Sequence, residues 1–116
     1  MPQHEAPWAS DHEFVEQILK GDRKAFELLY ETYFRRIYRF ALRRLGDAGE
    51  AEDVTQEVFL TVIKALPYFQ GTSSLLVWMF GITRNKANLY RMRRALSDGM
   101  PGLDSVGPAA VRIVVR

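Results

Sequence analysis

Apolar residues recur every three or four positions in each of the long segments of this chain. The longest such stripe runs from Phe26 to Leu45, and a second one runs from Val54 to Leu66. This spacing places side chains on one face of an α-helix, whereas a half-buried strand alternates with a period of two, which these segments lack. Because short connections join the segments, the sequence predicts an all-α fold, a compact four-helix domain.

Capping residues mark the expected ends of these helices. Ser10 with Glu13 has the spacing of a capping box, and Asp47 with Glu50 has the same spacing. Asp22 is a favourable N-cap for the second helix. The predicted helices cover about residues 11–20, 22–45, 47–66 and 75–96, and Thr72, Ser73 or Ser74 caps the last one.

The 116 residues are enough for one hydrophobic core but not for two. We expect residues 11–96 to form this single domain. Residues 1–10 are polar and are expected to be disordered. Residues 97–116 contain glycines and prolines that break helices, so they are expected to form a disordered or abnormal C-terminal tail.

The composition also bounds where the protein acts. The absence of cysteine excludes a disulfide framework and a thiolate metal site. The longest apolar run, Leu75 to Phe80, is too short to span a membrane. The N-terminus has no basic segment followed by an apolar one, as a secretory signal would have. We therefore expect a cytoplasmic protein with no membrane partner, monomeric when free.

Acidic and basic residues are separated along the chain. Residues 1–57 hold 12 acids and 8 bases, whereas residues 58–116 hold 2 acids and 8 bases. No Asp or Glu occurs between Glu57 and Asp98. The separation is consistent with two surfaces that bind different partners, one of them a polyanion, or with helix surfaces that are merely solvated unevenly.

The sequence shows no pattern of reactive groups that would support catalysis. His4 and His12 have no second ligand at metal-binding spacing. Glu52, Asp53 and Glu57 are better interpreted as a solvated acidic face than as an acid/base cluster, because no histidine or cation lies near them in the sequence. We therefore predict that the protein is not an enzyme and has no catalytic residue, no metal site and no cofactor.

Three stretches of the sequence resemble the second domain of bacterial sigma factors of the extracytoplasmic-function (ECF) group. They are GDRKAFELLYETYFRRIYRFALRRLGD, AEDVTQEVFLTVIKAL and FQGTSSLLVWMFGITRN, in the family's order and separation. The resemblance extends over about residues 11–94. In that family the domain binds the β′ clamp helices of the RNA polymerase core, and then recognises and melts the promoter minus-ten element.

The resemblance implies that Asp53, Gln56 and Glu57 bind the polymerase. Gln56 and Glu57 follow Asp53 by three and four positions, so a helix would place them on the same face as Asp53, opposite the valine stripe. No basic residue occurs between residues 44 and 64, which suits docking on basic clamp residues. The alternative is that Gln56 and Glu57 are simply solvated.

The resemblance also implies contacts with unpaired non-template promoter DNA. The acid-free segment suits this partner, because acids would repel phosphates while aromatic side chains stack on bases. In the family, the loop before the fourth helix captures a base, and the position of Asn85 touches another. We expect the implied residues to form one continuous positive groove beside this loop. They are Phe69, Gln70, Gly71, Thr72, Ser73, Trp78, Arg84, Asn85, Lys86, Arg91, Arg93 and Arg94.

Several alternatives remain open at this point. Trp78 is equally consistent with a buried core residue, and Asn85 with a hydrogen bond to a neighbouring turn. The arginines of the second helix either contact DNA or are only solvated. The domain is either a promoter-melting module, or an interaction module that occupies polymerase or an anti-sigma factor without opening DNA. A third alternative is a helical DNA-binding regulator unrelated to polymerase.

The sequence departs from the family in two places. Gly81 stands where the family often has a basic residue, and glycine inside a helix is destabilising by about 1 kcal/mol relative to alanine. We also expect the helix-turn-helix domain 4 of complete ECF factors to be absent, either because the sequence is an excised or truncated domain or because it is a natural short form. We therefore expect weak promoter affinity for this domain alone.

Overall fold

Four α-helices and one short 3₁₀ turn make up the computed structural model, which describes residues 6–97. The helices are α1 (Asp11–Leu19), α2 (Arg23–Leu45), α3 (Ala48–Ala65) and α4 (Leu75–Ser97), and the turn at Leu66–Tyr68 follows α3. The helices α2, α3 and α4 each pack against the other two, and α1 packs on α2 and on the turn. The predicted all-α, four-helix fold is confirmed.

The core lies where the predicted apolar stripes of these helices meet. Leu29 and Ile37 of α2 are completely buried, as are Val54, Val58 and Val62 of α3. Each such side chain stabilises the fold by about 1.5–3 kcal/mol relative to an exposed one. The three-helix arrangement leaves each long helix with one outer surface and two sides covered by its neighbours.

Two threonines are the buried polar residues of this core. Thr55 Oγ1 donates to the Ala51 carbonyl at 2.7 Å, and Thr83 Oγ1 donates to the Met79 carbonyl at 2.8 Å. Each hydroxyl therefore finds a partner one turn earlier in its own helix. Within residues 6–97, no buried side-chain nitrogen or oxygen lacks a hydrogen bond. The core consequently carries no desolvated polar group that would have to be explained by a ligand.

The predicted caps of the first three helices are present. In each, the capping oxygen accepts the backbone N–H three residues on: Ser10 from Glu13 at 3.1 Å, Asp22 from Ala25 at 3.1 Å, and Asp47 from Glu50 at 2.8 Å. Helix α2 ends at Gly46, whose φ of +71° is in the left-handed region that favours glycine. Local sequence therefore sets where these helices begin and end.

The N-terminus of α4 is capped both locally and from another helix. Ser74 Oγ accepts the Val77 N–H at 3.1 Å, which settles the choice among the three candidate caps. In addition, Asp11 Oδ2 of α1 accepts the Leu75 N–H at 2.8 Å. A carboxylate at a helix N-terminus is favourable for the helix dipole as well as for the free N–H group. Helix α1 therefore fixes the start of α4.

The expected disorder of residues 1–10 is wrong for the part that the structure describes. Trp8 is 9% exposed, and its ring stacks on Phe14 with 3.7 Å between centroids. Its indole Nε1 donates to Asp11 Oδ1 at 2.7 Å. The Trp8 ring also meets the Tyr33 ring of α2 edge-on, with 5.5 Å between centroids. The expectations for residues 1–5 and 98–116 lie outside the described residues.

Candidate functional site

The outer surface of α3 carries the three residues that were predicted to bind a protein partner. Asp53 and Gln56 are exposed, and Glu57 is half-buried. All three lie away from the valine stripe, which is fully buried against α2 and α4. Nothing basic occurs among the residues of α3 before Lys64. This surface is therefore acidic in its first part, up to Glu57.

Two tyrosines from the neighbouring helices bond to this surface. Gln56 Nε2 donates to the Tyr30 hydroxyl of α2 at 3.2 Å. The Tyr90 hydroxyl of α4 donates to Glu57 Oε2 at 2.7 Å. Burial, followed by the hydrogen bond to Glu57, raises the pKa of Tyr90 to about 12. Tyr90 therefore remains a neutral donor at ordinary pH.

Two apolar side chains lie on the same outer surface and were not singled out from the sequence. Leu60 is 61% exposed and Ile63 is 49% exposed. They follow Gln56 by four and seven residues, so they continue its face of the helix. The available signal was their position outside the buried valine stripe. The outer surface of α3 therefore combines acidic side chains with two exposed apolar ones.

The loop between the 3₁₀ turn and α4 forms one wall of a cavity of about 560 Å³. Gln70 to Ser73 are exposed, and the Phe69 ring lies 5.1 Å from the Trp78 ring. Helix α1 forms the opposite wall, with Asp11 and Glu16 lining the cavity and no Lys or Arg among the residues around it. The expected continuous positive groove beside this loop is therefore wrong, because folding brings α1 acids next to the acid-free segment.

Trp78 is half-buried, which places it between the two alternatives that the sequence left open. One and two turns further along the same side of α4, a smaller cavity of about 160 Å³ lies against α3. It is lined by Ile82, Asn85, Lys86 and Leu89 of α4 and by Thr61 of α3. Asn85 and Lys86 are thus on the α3 side of α4, half-exposed.

The opposite side of α4 faces Arg44 of α2. The rings of Phe40 and Phe80 stack with 5.0 Å between centroids, and the Arg44 guanidinium lies 5.3 Å from the Phe40 centroid. Arg44 Nη1 also donates to Asn88 Oδ1 at 3.5 Å. Arg84 is exposed and lies midway between Phe80 and Asn88, four residues from each. We call this side of the molecule the α2–α4 seam.

The last basic residues of α4 divide into two groups. Arg91 and Arg93 are exposed. Arg94 instead donates to the Glu50 carboxylate and, at 3.3 Å, to the Leu45 carbonyl. Its charge is therefore neutralised at the corner between α2 and α3. The twelve residues implied as DNA contacts are distributed over two sides of α4 and the loop before it.

Comparison with known proteins identifies the fold family. The profile of the family described as Sigma-70 region 2 matches residues 29–96, more than half of the sequence. The chain belongs to the Sigma-70 region 2 family. The matched residues begin in α2 and extend to the penultimate residue of α4. Helix α1, which supplies the acidic wall of the loop cavity, lies before the region 2 match.

Curated relatives of this region 2 domain carry sigma factor names. The RNA polymerase sigma-H factor of Pseudomonas aeruginosa is 37% identical over 84 residues, which cover 72% of this chain and 44% of the relative. The ECF RNA polymerase sigma-E factor of Escherichia coli K12 is 31% identical over 97 residues, which cover 84% of this chain and 50% of the relative. The chain thus spans about half the length of the curated relatives it matches.

A metal site would need clustered ligands, and a membrane span would need a long apolar helix. Among residues 6–97, no group of three His, Asp or Glu side chains could hold a metal ion. No helix in that part of the chain has both the length and the apolar content needed to cross a bilayer.

Proposed function

We propose that this domain is the part of a sigma factor that docks on the RNA polymerase core and holds unpaired minus-ten promoter DNA. The proposal rests on the family and on one structural observation: the acidic outer surface of α3 and the basic α2–α4 seam face opposite ways. Because α2, α3 and α4 each contact the other two, the seam lies across the bundle from the outer surface of α3. One small domain can therefore bind a protein and a polyanion simultaneously.

Docking would use the outer surface of α3, which we call the docking surface: Asp53, Gln56, Glu57, Leu60 and Ile63. Its acids suit the basic β′ clamp helices, and complementary charge speeds association and fixes the orientation of the partners. Its two apolar side chains would supply buried area at the centre of the contact, where interfaces gain much of their affinity.

The bases and the phosphates of the DNA would bind at different places around α4. An unpaired base would stack beside the loop from Phe69 to Ser73 and the ring of Trp78, which lies 5.1 Å from the Phe69 ring. Such stacking contributes about 1–3 kcal/mol per base. Arg84 and Arg91 are exposed and seven residues apart on α4, so they share a face of the helix and would hold phosphates. We leave Arg94 out of this set, because Glu50 already neutralises it.

A pull-down with the polymerase core tests the docking half. Asp53→Arg reverses a charge on the docking surface and should weaken capture about tenfold or more. Glu13→Arg makes the same change of charge on α1, away from that surface, and should leave capture unchanged. Equal capture of both variants would remove the docking proposal.

Fluorescence titration with single-stranded minus-ten oligonucleotides tests the DNA half. Asn85→Ala should reduce the preference for a particular base about fivefold, since the variant cannot form a side-chain hydrogen bond to a base. Asn88→Ala is the matched control for base preference. Asn88 bonds Arg44 on the seam, which is proposed to hold phosphates and not bases, so this variant should leave the preference unchanged. Binding with no preference for any base sequence would contradict base recognition by this domain.

One observation favours the second candidate, an interaction module that occupies polymerase or an anti-sigma factor without opening DNA. Asp11 and Glu16 beside the loop would repel phosphates that approach the base-binding cavity. If the domain captures polymerase normally but binds no single-stranded oligonucleotide, this candidate is the correct one. The same two assays therefore separate the two functions.

A further inference from the structure

Two adjacent residues of the docking surface each meet a tyrosine hydroxyl from a different helix. Gln56 Nε2 donates to Tyr30 of α2 at 3.2 Å, and Glu57 Oε2 accepts from Tyr90 of α4 at 2.7 Å. Successive residues of a helix point about 100° apart. Gln56 and Glu57 therefore lean toward opposite edges of the docking surface, and each neighbouring helix supplies one partner.

Both tyrosines are themselves held in place. The Tyr30 ring lies 4.7 Å from the Phe59 ring and 5.1 Å from the Phe34 ring. Tyr90 is half-buried against the core, and its pKa of about 12 keeps its hydroxyl protonated and able to donate. The hydrogen bonds thus connect long, flexible polar side chains to groups with fixed positions.

Fixing such side chains matters for binding more than for folding. Glutamine and glutamate populate many rotamers when exposed, and an interface that orders them loses that freedom. A side chain already held in one orientation has less freedom to lose. Asp53 provides the contrast with Gln56 and Glu57. Within residues 6–97 it is exposed and has no hydrogen-bonded partner, so its side chain is not held in one orientation before binding.

We propose that Tyr30 and Tyr90 are positioning residues, which hold Gln56 and Glu57 in the orientation that the polymerase core accepts. This inference rests on the proposed docking function. It adds that the docking surface depends on α2 and α4 as well as on α3, although neither tyrosine belongs to the acidic face itself. It also makes Tyr90, on the helix proposed to bind DNA, a contributor to the polymerase contact.

The test measures the affinity of the full 116-residue chain for the polymerase core by titration, together with the thermal stability of each variant. Tyr30→Phe and Tyr90→Phe should each weaken binding about three- to tenfold, with the larger loss for Tyr90 because its partner is charged. The loss should vanish when the partner is already absent: Tyr90→Phe should add nothing to Glu57→Ala, and Tyr30→Phe nothing to Gln56→Ala.

Tyr38→Phe is the matched control. Tyr38 is half-buried on α2 and its ring stacks near Phe34, but it forms no hydrogen bond with the docking surface within the described residues. It should leave the affinity unchanged. An equal loss of affinity for Tyr90→Phe with and without Glu57 would indicate a general structural effect and overturn the inference.

The outcomes also distinguish a failure of the proposed docking function from a failure of the positioning role alone. If Asp53→Arg, Gln56→Ala and Glu57→Ala all leave polymerase affinity unchanged, the docking proposal fails and the inference fails with it. If only Asp53→Arg weakens binding, docking stands and the positioning inference is overturned. If Gln56→Ala and Glu57→Ala weaken binding but Tyr30→Phe and Tyr90→Phe do not, docking stands and the positioning role alone is overturned.

Discussion

The outer surfaces of α3 and α4 differ in how their polar side chains are held. On α3, Gln56 and Glu57 are fixed by tyrosines from the two neighbouring helices. On α4, Arg84 and Arg91 are exposed and, within residues 6–97, form no ion pair. A fixed surface suits one protein partner of defined shape, whereas free arginines suit a flexible chain of phosphates.

The difference also predicts that salt weakens the two interactions to different degrees. Neutralising phosphates releases counterions, so DNA binding through α4 should fall steeply as salt rises. Binding through α3 should fall less, since Leu60 and Ile63 contribute apolar area that salt does not screen.

The largest effect is expected from Asp11→Ala, which removes the acceptor of the Leu75 N–H and of the Trp8 indole. Hydrogen bonds to a charged group contribute about 1.5–3 kcal/mol, so the free energy of unfolding should fall by that order. Asp11→Asn keeps one acceptor and should lose less. Chemical denaturation provides the measurement.

The same variant separates the two surfaces. Asp11 fixes the start of α4 and also places a negative charge beside the loop, so its removal should alter oligonucleotide binding while polymerase capture by the folded protein is retained. Parallel loss of both activities, beyond the fraction of unfolded protein, would show that the two surfaces are not independent.

An intermediate effect is expected from the double variant Arg84→Ala, Arg91→Ala. For single-stranded DNA, the slope of log affinity against log salt should become shallower by about 0.7 for each phosphate that the variant no longer neutralises. Polymerase capture should not change. The control is Arg23→Ala with Lys24→Ala, which removes the same charge from the exposed start of α2. An identical slope change in this control would show that the salt dependence reflects the net charge of the protein and not the position of the arginines on the seam.

The smallest effect is expected from Gly81→Ala on the outer surface of α4. A Cβ there would meet nothing within 4 Å, so alanine should stabilise the helix by about 0.5–1 kcal/mol. If DNA passes closely over this bare backbone, oligonucleotide affinity should fall while stability rises.

Gly49→Ala in α3 is the counterpart of that variant. Its Cβ would lie 3.3 Å from Asp47 Oδ1, the oxygen that caps α3, so its stabilisation should be smaller. Thermal unfolding compares the two variants directly. An equal gain for both would show that the Asp47 cap adjusts without cost.

The helices and their ends were predictable from the sequence. The spacing of three and four between apolar residues is a local property, and so are the caps at Ser10, Asp22 and Asp47. The family motifs were likewise contiguous stretches, which is why the resemblance and the region 2 match agree. None of these features requires knowing how the helices are arranged.

The arrangement of the candidate site was only partly predictable. The sequence placed Asp53, Gln56 and Glu57 on one helix face, and the fold exposes or half-exposes them there. It gave no signal that Tyr90 would bond Glu57, because 33 residues separate the two partners. Their contact depends on how α3 and α4 cross, which no local pattern encodes.

By itself, the sequence determined four helices, their caps, the buried stripes and an acid-free segment. Tertiary structure alone decided what faces that segment: Asp11 and Glu16 beside the loop, Glu57 beside Tyr90, and Glu50 against Arg94. The physical reason is that charge acts through space, so a stretch without acids in sequence is not a surface without acids once packing brings other helices against it.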